Sequence, residues 1–177
     1  MTTQLAPGRW LVTAGQNATF TARQFGRDVP GTIPILSGTI EVAENGQPTA
    51  IHGELDIGAI DTGIAKRDQD LRKPRLLDLD AHPKMTFRTG TVAVGDDGWR
   101  VTGYLTARGE TAPIVGTVRI DGPGQHTATL TATTRVDRRD LRLRAPWFLI
   151  GRFIEVTVTA RISNTVRETS PAVLAER

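Results

Sequence analysis

The amino-acid sequence predicts an all-β protein, an eight-stranded antiparallel barrel with one short helical crossover. Runs in which apolar and polar residues alternate recur along most of the chain, and this period of two is typical of strands with one buried and one solvated face. Turn-forming residues separate the runs, and no stretch shows a long helical period. A sheet that buries one face without helices to cover it forms a sandwich or closes into a barrel, and we expect the barrel.

The strands are expected in eight runs along the chain. The first run is broken by a turn-like sequence at residues 14–17, and turns rich in Gly, Asn and Asp at 44–48 and 95–98 predict two hairpins. The periodicity ends near residue 164, so residues 1–164 are predicted to form one domain and residues 165–177 a mobile tail. The predicted strands are 10–25, 38–42, 49–60, 85–94, 99–107, 114–121, 127–136 and 154–162.

The connection between the third and fourth runs is rich in ionisable side chains and is expected to hold a short helix over residues 65–73. Asp61 or Thr62 can cap its N-terminus, and the basic residues at its end complement its dipole. Arg67 and Leu71 would share one helix face. For Arg67 we favour an Arg–Asp interaction that ties the crossover to a strand end, and contact with a phosphate or quinone oxygen is the alternative.

Composition limits the classes of function. The 177 residues include no Cys, so disulfides and thiolate chemistry are excluded, and the three His are far apart, so neither a metal site nor a cofactor is expected. The net charge is +3, the N-terminus lacks the pattern of a secretory signal, and the longest apolar stretch spans only residues 145–150. We therefore expect a cytoplasmic protein without stable membrane insertion. No catalytic motif is present, so we expect no enzyme.

Small residues recur on the inward faces of the predicted strands, at Gly53, Gly103, Gly116, Ala128 and Ala132. They either fit the taper of the barrel and permit strand bending, or leave a cavity for an apolar ligand. The apolar phase of the strands points inward at Phe20, Leu55, Ile57, Phe87, Leu105, Leu130 and Val156. Candidates for the cavity mouth are Phe25, Leu77, Trp147 and Phe148, with Arg67 near a ligand head group.

The run 135–144 is dense in Arg and could serve a nucleic-acid binder through Arg138, Arg139, Arg142 and Arg144. Asp137 and Asp140 are interleaved with these arginines, and a phosphate-binding track would favour uncompensated charge. Salt-bridged structure is therefore the favoured interpretation, and no nucleic-acid partner is expected.

Four ordered motifs resemble the YceI-like family of lipocalin-like barrels that bind polyisoprenoid chains. The resemblance spans residues 10–162 and rests on Ala59-Ile60-Asp61-Thr62-Gly63, Arg67-Asp68-Gln69-Asp70-Leu71-Arg72, Pro83-Lys84-Met85-Thr86-Phe87 and Leu105-Thr106-Ala107-Arg108-Gly109-Glu110-Thr111-Ala112-Pro113. The chain departs from the family pattern at Gln24 and Asp70, where His is usual, and at Leu76-Leu77-Asp78, where an aromatic pair precedes the Asp.

The resemblance implies non-catalytic binding, for storage, transport or sequestration, of a long apolar ligand such as a polyisoprenoid or an isoprenoid quinone. The lost His residues remove the basis for transferring head-group contacts. The alternative class is a stress-response or structural interaction module whose barrel is filled by its own side chains. The sequence leaves a homodimer open.

Overall fold

In the computed structural model, which describes residues 4–143 and 151–164, one antiparallel sheet closes on itself. Its strands run in the order β1-β3-β2-β9-β8-β7-β6-β5-β4, and further pairings of β1 with β9 and of β3 with β4 complete the closure. The strands are β1 Gly8–Val12, β2 Asn17–Gln24, β3 Arg27–Val42, β4 Pro48–Asp56, β5 Lys84–Gly95, β6 Gly98–Ala107, β7 Glu110–Asp121, β8 Thr127–Asp137 and β9 Phe153–Asn164. The 3₁₀ turn Ile57–Ala59 and the helix α1, Ala65–Leu71, connect β4 to β5.

The first two strands share one position in the barrel wall. Both β1 and β2 pair with β3 and β9, with Trp10 opposite Ile40 in β1 and Phe20 opposite Gly31 in β2. The break between them is the turn predicted within the first alternating run. The described residues therefore form a closed eight-stranded antiparallel barrel with one helix, and the predicted fold class is confirmed.

Strand β3 corresponds to the second predicted strand, 38–42, and is much longer than predicted. It begins at Arg27 rather than at residue 38. Pro30, Gly31 and Pro34 disfavour a strand in the sequence. Residues 27–34 of β3 pair continuously with β2, whereas the ladder between β3 and β4 begins only at Ile35. Because one side of this stretch has no continuous ladder, the missing N–H groups of the prolines cost few hydrogen bonds. A two-residue turn with positive φ at Phe25 and Gly26 links β2 to β3.

Strand β4 corresponds to the third predicted strand, 49–60, and is shorter than predicted. It ends at Asp56, and Ile57 begins the 3₁₀ turn. The helix lies where it was expected, but its predicted cap is wrong. Ile64 precedes the first helical residue and makes no side-chain cap. Thr62 instead donates from its backbone N–H and its hydroxyl to Asp68 Oδ1, at 3.0 and 2.5 Å.

The interior contains two packed clusters, one toward each end of the barrel. The first centres on Trp10, which is fully buried, and Trp99, and it fills the end that holds the β3–β4 and β5–β6 turns. The second surrounds Phe20 and Leu105 and includes Leu79 of the crossover, which is 1 % exposed. Among the described residues no helix has the length and apolar character needed to cross a membrane.

Candidate ligand-binding cavity

An apolar cavity of about 410 Å³ lies at the barrel end where the β2–β3 turn, the β4–β5 crossover and the loop after β8 meet. We call it the outer cavity. Exposed side chains are among its wall residues, notably Arg23, Ile64 and Lys66, so the cavity reaches the surface. Its apolar walls are formed by Phe20, Ala22, Val29, Ile33, Ile57, Ile60, Leu71, Leu76, Leu77, Met85, Leu105, Val136, Leu141, Leu143, Ile154 and Val156.

A second cavity of about 160 Å³, the inner cavity, lies deeper in the barrel. Met85, Leu105 and Val156 line both cavities and thus form the partition between them. The other apolar walls of the inner cavity come from Val12, Ile35, Ile40, Ile51, Leu55, Phe87, Val101, Ile114, Val118, Leu130, Ala132 and Val158.

The small inward residues serve both purposes that the sequence left open. Gly53 and Ala132 line the inner cavity, where their small size leaves space. Gly116 lines it as well, but a Cβ there would lie 3.0 Å from the Thr133 carbonyl oxygen, so this glycine also permits close packing. Gly103 instead accommodates close packing, because a Cβ there would lie 2.7 Å from the Phe87 ring and 2.3 Å from the Arg88 carbonyl oxygen. Ala128 belongs to the packed cluster at the filled end.

The crossover covers the outer cavity with one face of α1. Arg67 and Leu71 share that face, as their spacing predicts, and both line the cavity together with Ile64 at the start of the helix. Leu76 and Leu77 continue the apolar surface beyond the helix. The crossover therefore forms a lid on the cavity.

Arg67 carries the main polar cluster of the rim. Its Nη1 donates to Gln24 Oε1 on β2 at 2.7 Å, its Nε to Thr62 Oγ1 at 3.0 Å and its Nη2 to the Thr62 carbonyl oxygen at 3.2 Å. The expected tie to a strand end therefore exists, but its partner is Gln24 rather than an aspartate. No carboxylate among the described residues forms a direct ion pair with Arg67. Asp68 is linked to Arg67 only through the Thr62 hydroxyl, which accepts from Arg67 and donates to Asp68.

Two further arginines fasten the crossover to its surroundings. Arg72 donates to Asp80 Oδ1 at 2.6 Å and to the Gly58 carbonyl oxygen at 3.0 Å. Arg108 donates to the carbonyl oxygens of Pro74, at 2.6 Å, and Arg142, at 2.9 Å. The lid is thus connected to the 3₁₀ turn, to the β6–β7 turn and to the loop after β8.

The loop after β8 is held by charged groups, and its leucines complete the cavity wall. Asp137 accepts hydrogen bonds from the backbone N–H of Arg139 and from Nε of Arg152, at 3.0 and 2.9 Å. Burial raises the pKa of Asp137, but hydrogen bonds from Arg139 and Arg152 outweigh it and hold the pKa at about 2. Arg138 is 8 % exposed and donates to the Leu143 carbonyl oxygen at 2.9 Å, which fixes the loop that carries Leu141 and Leu143.

Charge at the helix end is paired as well. A hydrogen bond from Lys73, at 2.7 Å, lowers the pKa of Asp70 below its usual range, and Lys66 adds to the effect. Asp70 also lines the outer cavity, as does Gln24. The two positions where this chain departs from the usual His of the family pattern therefore both lie at the cavity rim.

The cavities bring together most of the residues that the sequence singled out. Leu105 and Val156 line both cavities. Phe25 lies at the tip of the β2–β3 hairpin, is 64 % exposed and takes no part in the described walls of either cavity. Trp147 and Phe148 lie outside the described residues. The outer cavity holds Phe20, Ile57, Leu77 and Arg67, and the inner cavity holds Leu55, Phe87 and Leu130.

Several wall residues were not expected from the sequence. Leu141 and Leu143 line the outer cavity but lie within the arginine-rich run, which was interpreted only by its charge. Their spacing of two residues was a signal for one buried face. Met85 was recognised within a motif but not as part of the interior. Ile33 was not expected in the interior because Pro30 and Pro34 argued against a strand at this position.

The basic run after β8 offers less free charge than its sequence suggests. Arg138 is buried, Arg139 pairs with Asp137 at 3.4 Å and Arg142 with Glu110 at 3.6 Å, and Arg144 lies outside the described residues. Within residues 4–143 and 151–164, no group of three or more His, Cys, Asp or Glu side chains could hold a metal ion.

Comparisons with known proteins agree with this architecture. The barrel of Burkholderia cenocepacia BcnA superposes with a TM-score of 0.73 at 15 % identity, over 83 % of this chain and 95 % of that one. A polyisoprenoid-binding domain from Saccharophagus degradans gives a TM-score of 0.64 at 14 % identity, over 88 % and 98 % of the two chains. These similarities show a shared fold.

Sequence similarity gives the family. A UPF0312 protein of Pectobacterium atrosepticum is 30 % identical over 95 residues, which cover 53 % of this chain and 50 % of the relative. The chain thus spans about half the length of the curated relatives it matches. The model of the YceI-like domain matches residues 10–166, nearly the whole barrel. The chain belongs to the YceI-like domain family.

Proposed function

We propose that this chain binds a linear apolar molecule of isoprenoid type in its two cavities and catalyses no reaction. The observation that carries the proposal is the outer cavity, whose volume of about 410 Å³ falls in the range of small-molecule sites. Its walls are apolar, and its polar groups gather at the rim around Arg67. The polyisoprenoid-binding domain of Saccharophagus degradans, which shares the fold, supports the same ligand class.

The shape of the site suits a molecule with a long tail and a small polar head. The tail would enter through the outer cavity, pass Met85, Leu105 and Val156, and end in the inner cavity. An apolar cavity of roughly 150 Å³ can hold benzene, so the inner cavity of about 160 Å³ would hold about one prenyl unit. Each buried methylene would contribute about 0.8 kcal/mol before the cost of ordering the chain.

The head group would meet Arg67 and Gln24 at the rim. Arg67 is a cation without an ion-pair partner among the described residues, and Gln24 has an amide group that can reorient. A hydroxyl, a quinone oxygen or a phosphate could each accept a hydrogen bond from the guanidinium. The rim is accordingly proposed as the polar end of the site.

The rival class, a barrel filled by its own side chains, describes only one end of this molecule. Trp10 and Trp99 fill the end with the β3–β4 turn, whereas the end beneath the crossover retains the outer cavity. Ligand binding therefore has the stronger support.

Isothermal titration of delipidated protein with farnesol, repeated at several temperatures, tests the proposal. Burial of an apolar chain gives a negative heat-capacity change, which is the robust sign of this kind of binding. We expect saturable binding of one molecule with a clearly negative heat-capacity change. Absence of saturable binding, or binding without that change, would contradict the proposal.

A further inference from the structure

Charge is distributed unevenly between the two ends of the barrel. The connections at the end with the outer cavity are residues 25–26, 57–83, 108–109 and the described parts of 138–152, and they carry ten Lys or Arg against six Asp or Glu. The connections at the opposite end, 43–47, 96–97 and 122–126, carry three acidic residues and no Lys or Arg. Arg139 and Arg152 pair with Asp137, and Arg142 pairs with Glu110, so strand-end carboxylates reduce this positive excess. The described connections thus give the open end a modest positive excess and the filled end an acidic character.

The basic end also exposes two large apolar side chains beside the cavity. Phe25 is 64 % exposed at the tip of the β2–β3 hairpin, and Ile64 is 51 % exposed at the start of α1. Ile64 lines the outer cavity, and Phe25 directly follows Gln24, which lines it too. The hydrogen bond from Arg67 to Gln24 brings the hairpin and the helix together, so both apolar groups belong to one rim.

Exposed basic side chains flank this apolar pair. Arg27 follows Phe25 in the hairpin and Lys66 follows Ile64 on the helix, and neither forms an ion pair with a described residue. Lys66 also lies close enough to Asp70 to lower the pKa of that carboxyl. Exposed apolar groups next to exposed basic groups are the combination that binds the surface of an anionic bilayer, since the first enter the head-group region and the second attract anionic lipids.

We propose that the open end of the barrel docks on a bilayer surface that contains anionic lipids, through Phe25, Ile64, Arg27 and Lys66. The acidic filled end would face away from the bilayer, so the charge asymmetry also sets the orientation. Docking rests on the charge and exposure of this end. Its use, direct passage of a poorly soluble ligand between bilayer and cavity, rests on the proposed function.

A nucleic acid is the other polyanion that a basic end could bind. A phosphate backbone would use the basic side chains, but Phe25 and Ile64 would gain little from it unless bases were stacked on them. A bilayer accommodates both the apolar and the basic side chains of the rim and is therefore the proposed partner.

Co-sedimentation of the full chain with lipid vesicles, without added ligand, tests the docking surface. We expect binding to vesicles of phosphatidylcholine with phosphatidylglycerol, weak binding to phosphatidylcholine alone, and loss of binding as salt is raised. The variant Arg27→Glu/Lys66→Glu and the variant Phe25→Ser/Ile64→Ser should each weaken binding by about tenfold.

A matched control carries the same kinds of change on the side of the barrel. Arg100→Glu/Val115→Ser alters one exposed basic and one exposed apolar residue of β6 and β7 and should bind vesicles as the wild type does. Equal binding to both kinds of vesicle, equal loss in the control, or binding of single-stranded DNA without vesicle binding would overturn the proposal. Because no farnesol is present, these outcomes are separate from the calorimetric test of the proposed function.

Discussion

Arg67 on helix α1 donates a 2.7 Å hydrogen bond to the side-chain oxygen of Gln24 at the end of β2. This contact joins the lid to the barrel wall at the place where the outer cavity reaches the surface. It also holds a cation at the rim, so one side chain fastens the lid and supplies the polar end of the proposed site.

Arg67→Ala should loosen the lid and reduce the free energy of unfolding by about 2 kcal/mol, because hydrogen bonds that involve a charged group contribute roughly 1.5–3 kcal/mol. Urea denaturation of Arg67→Ala, Gln24→Ala and the double variant would measure the coupling between the two side chains. Arg27→Ala, an exposed arginine of the adjacent hairpin, is the control and should be nearly neutral. Strictly additive effects of the two substitutions would show that the contact contributes nothing.

Gly31→Ala should destabilise the barrel by about 1–3 kcal/mol, a typical cost of overpacking. A Cβ at Gly31 would lie 2.3 Å from the Phe20 ring, which would have to move, and Phe20 lines the outer cavity. Gly53→Ala is a matched control, because the nearest atom to its Cβ would be 3.9 Å away. Thermal unfolding of both variants measures the difference, and equal midpoints would argue against the packing described for Phe20.

Met85→Ala should join the outer and inner cavities into one longer space. Geranylgeraniol should then bind more tightly relative to farnesol than it does in the wild type, since each further prenyl unit buried contributes up to about 4 kcal/mol. Competition binding of the two prenols measures this preference. Ile120→Ala removes a large side chain from the filled end, away from both cavity walls, and serves as the control. An unchanged preference in Met85→Ala would show that Met85 does not separate the cavities.

Asp137 should make folding stability depend on pH in acid. Its pKa in the folded state is about 2, below the ordinary value of 3.8, so its contribution is fully present above 3.8 and is lost as pH falls toward 2. Its partners Arg139 and Arg152 are about half exposed, so we expect a contribution of about 1 kcal/mol.

Measuring the unfolding free energies of the wild type and of Asp137→Asn across the acid range tests this predicted pH dependence. The difference between them should be constant from neutral pH to about pH 4 and should shrink below that value. A difference that stayed constant down to pH 2 would contradict the role given to Asp137.

Much of the fold could be predicted because alternation reports directly on which face of a strand is buried. Leu105 and Val156 sit on the apolar phase of single, regular strands, and both lie in the interior as that phase requires. Arg67 and Leu71 share a helix face because the spacing of four fixes it.

Other features depend on contacts between distant segments. Pro30 and Pro34 are compatible with a strand because this stretch pairs with β2 and not with β4, so their missing N–H groups are not needed for a second ladder. No local sequence pattern shows that arrangement. Phe25 was expected at the mouth for its hydrophobicity, and the two-residue turn places it exposed beside the rim, outside the described cavity walls. The partition at Met85 arises from three strands that meet only in the closed barrel.

Native mass spectrometry of the wild type and of Leu105→Trp, each incubated with geranylgeraniol, tests the central claim most directly. Leu105 lines both cavities, so a larger side chain there should block the path of the ligand, whereas Tyr104→Trp, at an exposed neighbour, should not. We predict one bound prenol in the wild type and in Tyr104→Trp, and none in folded Leu105→Trp. A wild type that takes up no prenol, or a Leu105→Trp variant that binds as well as the wild type, would contradict ligand binding in the barrel interior.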